Sequence, residues 1–151
     1  MSGDSAILVD NSRRISVTSV NISNLTGAGI VVTGSDHVSV TQNRISGLQL
    51  SGIMIHRGTT ASYIGRNSVT GNPGSANLMA GIVLTDRDVD ISSNPRSIFR
   101  PDLYEGVAEP ITSRMHPPHE NVVAFNHVWR NSAGGIYSDG AVRNVIVANS
   151  V

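Results

Sequence analysis

The chain has 151 residues and a mass of 15.9 kDa, the length of one domain, and its 39% of hydrophobic residues is enough to bury a continuous core. Eleven basic residues balance 11 acidic ones, so neither a nucleic-acid backbone nor an anionic membrane surface is an expected partner. All the basic residues are arginine and cysteine is absent, which excludes within this segment lysine bases, disulfides, thiolate metal sites and cysteine nucleophiles. No apolar run approaches the ~20 residues that a membrane span needs, and Met1 to Ser5 carry neither a basic region nor an apolar stretch of signal-peptide type.

Along the chain a glycine-apolar phrase recurs. It opens as Ala6-Ile7-Leu8-Val9 and returns as Gly29-Ile30-Val31-Val32, Gly52-Ile53-Met54-Ile55 and Gly81-Ile82-Val83-Leu84. Gly106-Val107-Ala108 and Gly135-Ile136-Tyr137 are weaker copies, giving intervals of 23, 23, 29, 25 and 29 residues. A second phrase follows most copies after 13 to 15 residues, an apolar alternation ending in asparagine: Val38-Ser39-Val40 before Asn43, Tyr63-Ile64 before Asn67, Val89-Asp90-Ile91 before Asn94. It continues as Val122-Val123 before Asn126 and Val145-Ile146-Val147 before Asn149.

Short β-branched alternations at this period, separated by Gly, Asn and Ser, are what a coil of three short strands requires. Alternate side chains (Ile30 and Val32, Val38 and Val40, Ile45) should face inward, and the next coil should stack ~4.8 Å away through backbone pairing. Asparagine suits a coil corner because it tolerates the left-handed conformation and its amide can bond its counterpart one coil on. Asn43, Asn67, Asn94, Asn126 and Asn149 are therefore expected to form an internal ladder, with ligand contact as the alternative.

These phrases closely resemble the repeat of right-handed parallel β-helix proteins, the superfamily of pectate lyases, alginate lyases and epimerases, several glycosidases and phage tailspikes. The resemblance implies an all-β, right-handed parallel β-helix solenoid of about six coils spanning 1–151 as a single domain. It also implies polar caps at the ends. None is found, so the segment is expected to be part of a longer β-helix, extracellular or periplasmic, with its signal elsewhere.

Inward residues are committed to packing, so chemistry is expected in turns and in departures from the minimal coil. Charged residues follow each glycine phrase at similar offsets: Asp36-His37, His56-Arg57, Asp86-Arg87-Asp88 and Asp139. Stacked coils turn equal offsets into neighbours, so Arg57, Asp86 and Asp139 are candidate catalytic groups, with His56 and Arg87 binding substrate. An arginine beside carboxylates suits an acidic sugar, with the arginine binding or deprotonating and the carboxylates acting as acid and base or holding Ca²⁺. Asp86, Asp88 and Asp90 form a candidate Ca²⁺ set, and an exposed strand with Arg87 as counter-charge explains the same letters. A solvated turn of balanced charges is the plainer alternative.

The interval from Gly106 to Asn126 is 20 residues, about six more than elsewhere, which predicts a loop excursion near 109–120. Its Glu109-Pro110, Arg114, His116, Pro117-Pro118, His119 and Glu120 put two of the five histidines on one proline-stiffened segment. His119-Glu120 after proline is similar to the Asp-Pro-His-Glu or Asp-Pro-His-Asp stretch of mannuronan C5-epimerases, in which the histidine and the aspartates move protons at C5 of the uronate. Pro117 replaces that leading aspartate, and Arg114 stands where some of those enzymes have tyrosine. The similarity implies His119 as a catalytic residue, with Arg114, His116 and Glu120 contacting substrate. Gly134-Gly135-Ile136-Tyr137 before Asp139 resembles segments of β-helix glycosidases, and Trp129 and Tyr137 would stack on sugars if exposed or fill the coil if buried. Together these point to a protein that acts on or binds a polysaccharide, with uronate-containing polymers among the candidates, by elimination, epimerisation or hydrolysis. A noncatalytic adhesin, tailspike or sugar-binding solenoid is the competing class.

Overall fold

The computed structural model describes residues 5–73, 80–86 and 117–151. Fourteen short strands follow one another: β1 (Ser5–Asp10), β2 (Ser16–Thr18), β3 (Asn21–Ser23), β4 (Ala28–Thr33), β5 (Ser39–Thr41), β6 (Arg44–Ser46), β7 (Ile53–Ile55), β8 (Tyr63–Gly65), β9 (Ser68–Thr70), β10 (Ile82–Thr85), β11 (Val122–Ala124), β12 (His127–Trp129), β13 (Ile136–Asp139) and β14 (Val145–Val147). Every third strand pairs in parallel. The result is three sheets: a first of order β1-β4-β7-β10-β13, a second of β2, β5, β8, β11 and β14, and a third of β3, β6, β9 and β12. Each of the first four rungs contributes one strand to each sheet, the fifth contributes β13 and β14, and the described residues contain no helix.

The expected parallel β-helix is therefore observed, with five rungs in place of about six. β10 pairs directly with β13, Ile82 opposite Ile136, which leaves no rung for Gly106-Val107-Ala108 between them. β8 likewise pairs directly with β11, Ile64 opposite Val123. The Val89 phrase, Asn94 and Gly106-Val107-Ala108 lie outside the described residues. Of the excursion expected near 109–120, residues 117–120 are described. Pro118 and His119 already belong to the rung, since the His119 N–H donates to the Thr59 carbonyl and the Pro118 carbonyl accepts from the Val142 N–H.

Three-residue strands demand sharp corners, and these are made by residues in the left-handed region stacked in columns. Arg14, His37, Ala61, Glu120 and Arg143 share one corner, Ser19, Gln42, Arg66, Phe125 and Ala148 the next, and Asn24, Gly47, Gly71 and Arg130 the third, all with φ between 48° and 68°. A non-glycine residue there costs about 1–2 kcal/mol. The bend is kept because the N–H of the bent residue still reaches a carbonyl of the next rung, as in Gln42 to Gly65 and Arg66 to Ala124. The ladder asparagines each follow such a residue and do not themselves bend, which corrects the expectation that asparagine makes the corner.

What the asparagines supply is an amide facing inward. Asn67 Oδ1 accepts the Asn43 N–H at 3.0 Å, Asn126 Oδ1 accepts that of Asn67 at 3.0 Å, and Asn149 Oδ1 that of Asn126 at 2.9 Å. The Asn67 Nδ2 donates to the Val40 carbonyl at 2.9 Å. A second ladder runs through Ser62, Asn121 and Asn144 at the corner between the first and second sheets, and a third through Asn72 and Asn131 between the third and first.

The repeated glycine has its own cause. A Cβ at Gly29, Gly52 or Gly81 would collide with the carbonyl oxygen of the matching glycine one rung on. Inside the coils, Ile30, Val32, Val40, Ile45, Ile53, Ile55, Ile64, Ile82 and Leu84 form one continuous core. The first sheet is also apolar on its outer side, where Val31, Met54 and Val83 are buried with Ala28, Leu50 and Ala80. An unbroken apolar phrase such as Ile30-Val31-Val32 is the pattern of a strand buried on both faces.

Replacing Asn67 by alanine strands two buried backbone groups, the Asn43 N–H and the Val40 carbonyl, at about 1–3 kcal/mol each. Urea unfolding should therefore show a loss of about 3 kcal/mol for Asn67→Ala and about 1 kcal/mol for Asn149→Ala at the half-buried last rung. Equal losses at the two positions would mean that the ladder does not act through burial.

Candidate functional site

The corner between the first and second sheets is where the expected site residues gather. Strand register fixes two of its columns. Thr33, His56, Thr85 and Asp139 continue the first sheet's pairing, and Gly34, Arg57, Asp86 and Gly140 follow one residue later. A third column, joined by single bridges, runs Arg13, Asp36, Thr60, His119 and Val142.

In the fifth rung the second and third columns are occupied by Gly140 and Val142, two residues apart. In the fourth they are occupied by Asp86 and His119, which are 33 positions apart in sequence (119 − 86). Stacking on Gly140 and Val142 holds Asp86 and His119 on the order of 7 Å apart at Cα, the span of two residues. Arg57 lies one rung below and Asp139 one rung above, each offset by ~4.8 Å. The fold thus brings His119, Asp86, Asp139 and Arg57 to one corner.

Each of these side chains has an observable anchor. The Arg57 Nε donates to the Asp86 carbonyl oxygen. The Asp86 carboxylate lies over Gly140, where any Cβ would collide with Oδ1 and where the backbone φ is +69°. Asp139 Oδ2 accepts the Tyr137 hydroxyl at 3.2 Å. The ring of His119 has Nδ1 3.0 Å from the Pro117 carbonyl. A carbonyl can only accept, so Nδ1 carries a proton and Nε2 is the ring nitrogen left to face a substrate. Beside it opens a shallow hollow of about 380 Å³ lined by Pro117, His119, Val142 and Arg143.

Other expected residues are placed differently. His56 is 3% exposed, with Nδ1 3.3 Å from the Thr33 hydroxyl, so it is a buried edge residue and not part of a solvated turn. Glu120 turns outward and pairs with Arg143 at 3.0 Å. Tyr137 stands on the outer side of the first sheet, packed against its second apolar cluster. Trp129 projects from the third sheet, so the two aromatics that are close in sequence lie on different faces. Arg87, Arg114 and His116 lie outside the described residues, as do Asp88 and Asp90 of the Ca²⁺ set. Among the described residues no group of three His, Asp or Glu side chains is placed to hold a metal ion.

Sequence reasoning passed over the lower half of this corner. Asp36 Oδ1 accepts the Arg13 Nε at 2.7 Å, and Asp36 Oδ2 lies 2.9 Å from His37 Nδ1. The hydrogen bond from Arg13, then that from His37, holds the Asp36 carboxyl below the usual carboxylate range. A usable signal existed: 13 to 36, 119 to 142, 121 to 144 and 126 to 149 are each separated by 23 residues, the length of a minimal rung.

Of the comparisons with known proteins, one bears on this geometry. The family model described as right handed beta helix region matches residues 5–100. The chain belongs to the right-handed β-helix family. A search of curated proteins and a search of solved structures each returned no match. The family match covers the first three rungs and β10 of this β-helix and stops inside the interval that separates Asp86 from His119.

Two measurements probe the corner. Gly140→Ala places a methyl group against the Asp86 carboxylate and a left-handed backbone, so the β-helix should lose about 1–2 kcal/mol in thermal or urea unfolding. Asp36 contributes stability only while ionised, because its folded-state pKa is depressed. That contribution is present above the ordinary aspartate range near pH ~4 and is lost as pH falls through the lower folded value. Asp36→Asn should therefore flatten the decline of Tm with acidification, and an unchanged slope would show that the Arg13–Asp36–His37 cluster is energetically idle.

Proposed function

We propose that this β-helix acts on an acidic, uronate-containing polysaccharide at the corner formed by Asp86, His119, Asp139 and Arg57. The observation that carries the reading is the juxtaposition of Asp86 and His119 at the two ends of the interrupted rung. Packing alone does not require a histidine base beside carboxylates and an arginine, and uronate chemistry does. A parent protein that meets such a polymer would work outside the cytoplasm, and no helix among the described residues is long and apolar enough to cross a membrane.

Removing the proton from C5 of a uronate is made possible by neutralising the adjacent carboxylate, a role that fits Arg57. His119 Nε2 takes the C5 proton. In elimination the C4–O bond then breaks, a C4–C5 double bond forms and the departing oxygen takes a proton from a carboxylic acid at the corner. In epimerisation a proton returns to C5 from the opposite face. Asp86 and Asp139 sit in adjacent rungs one residue out of register, about 6 Å apart at Cα by rung and strand spacing. Two carboxylates at one corner support hydrolysis as the second reading.

Incubation with alginate, polygalacturonate and a neutral glucan separates these outcomes. Ultraviolet absorbance from an unsaturated product marks elimination, and exchange of solvent deuterium into C5 without chain cleavage marks epimerisation. New reducing ends without absorbance mark hydrolysis. His119→Ala should lower kcat/KM by about 10²–10⁴-fold in the first two cases and spare hydrolysis relative to Asp86→Asn. Binding without any product would replace the enzyme reading with a noncatalytic sugar-binding solenoid.

A further inference from the structure

Charge is segregated across the solenoid. All five described carboxylates, Asp10, Asp36, Asp86, Glu120 and Asp139, belong to the corner between the first and second sheets or to the strand ends that enter it. The third sheet presents Asn21, Ser23, Arg44, Ser46, Ser68, Thr70, His127 and Trp129 outward, with no acid among them. Its flanking corners add Arg66 and Arg130, both exposed.

The fourth rung crosses this face with large aromatic side chains in the open. Phe125 is 60% exposed at one corner and Trp129 is 38% exposed at the far end of β12. Such rings are ordinarily among the most buried side chains, and two on one rung of one face mark a contact surface. The Arg130 guanidinium sits 4.3 Å from the centre of the Trp129 ring, and the centre of the His127 ring lies 5.7 Å away, tilted at 45°. Beneath Trp129 in the stack come Thr70, Ser46 and Ser23, small hydroxyl side chains that keep the path flat.

We infer that the outer face of the third sheet binds an anionic polysaccharide, with a sugar ring stacked on Trp129 and its acidic groups paired with Arg130 and Arg66. Aromatic rings take the apolar face of a sugar, the row of Ser and Thr hydroxyls takes its hydroxyl groups, and arginine pairs with carboxylate or sulfate. The surface is separate from the Asp86–His119 corner and does not depend on any chemistry there. Nucleic acid is the lesser fit, because the face offers few cations for a phosphate at every nucleotide.

Trp129 is the only tryptophan, so its fluorescence reports this face alone. Adding alginate to the full chain should shift or quench that emission, with the same titration in Asp86→Asn/His119→Ala. Arg66→Ser/Arg130→Ser should weaken the alginate midpoint by about tenfold, and Phe125→Ser should weaken it less, with circular dichroism confirming that each variant keeps its strands. An unchanged emission overturns the inference, as does an emission change abolished by the corner variant. A response of equal strength to neutral dextran or to single-stranded DNA overturns the assignment to an anionic glycan.

Discussion

Each corner of a parallel coil turns a backbone N–H along the stack where no strand is present to receive it. The whole solenoid depends on how that donor is satisfied. Here the answer is a side-chain oxygen from the next rung, supplied by Asn67 to Asn43, by Asn126 to Asn67 and by Asn149 to Asn126. An unmade hydrogen bond at such a depth costs more than a made one contributes, so the asparagine is tied to its position more tightly than the apolar residues around it. Each ladder ends on an apolar residue that still donates its N–H to the next rung, Val20 to Asn43 and Leu48 to Asn72.

Because the ladders fix register from rung to rung, the chain can leave the stack and return without disturbing it. The fourth rung shows this. Closure cost grows by only about 0.6 kcal/mol for each doubling of loop length, so the long interval between Asp86 and Pro117 is inexpensive provided that both ends are held. Asp86 is held against Gly140, and His119 is held by bridges to Thr60 and Val142. The interruption therefore allows two residues distant in sequence to occupy columns that elsewhere are separated by a single turn.

The coil was legible in the sequence because its causes are local and periodic. The glycine phrase reflects a collision with the carbonyl of the next rung, and the inward alternation of Ile30 and Val32 reflects the core. The asparagine marks the corner, although the residue before it makes the bend: Gln42, Arg66, Phe125 and Ala148 share no side-chain property that would announce a left-handed backbone. The rung count failed for a related reason. Gly106-Val107-Ala108 and Asn94 satisfy the local pattern, whereas the count of rungs among the described residues is set by pairing between β10 and β13 and between β8 and β11. His56 was misjudged because an imidazole among charged neighbours reads as a turn, whereas register makes it the end of a strand beneath Thr85. The charges at Arg57, Asp86 and Asp139 were visible as a group because each follows its strand at nearly the same distance. Their meeting with His119 was visible only through the 23-residue spacings of the last two rungs.

Polarity around the stack follows from the same construction. A solenoid repeats its columns, so a charge placed at one corner is amplified along that corner and stays away from the other faces. The first corner collects the carboxylates together with Arg13, Arg14, Arg57 and Arg143, in ion pairs where the partners are close, as at Asp36 and Glu120. The third sheet collects hydroxyls, arginine and exposed rings. The outer side of the first sheet, with Val31, Met54 and Val83 buried, has no part in either surface. A neutral chain can in this way carry one edge rich in paired charges and another rich in hydroxyls, arginine and exposed rings, since the net charge of a solenoid says little about the charge of any one column.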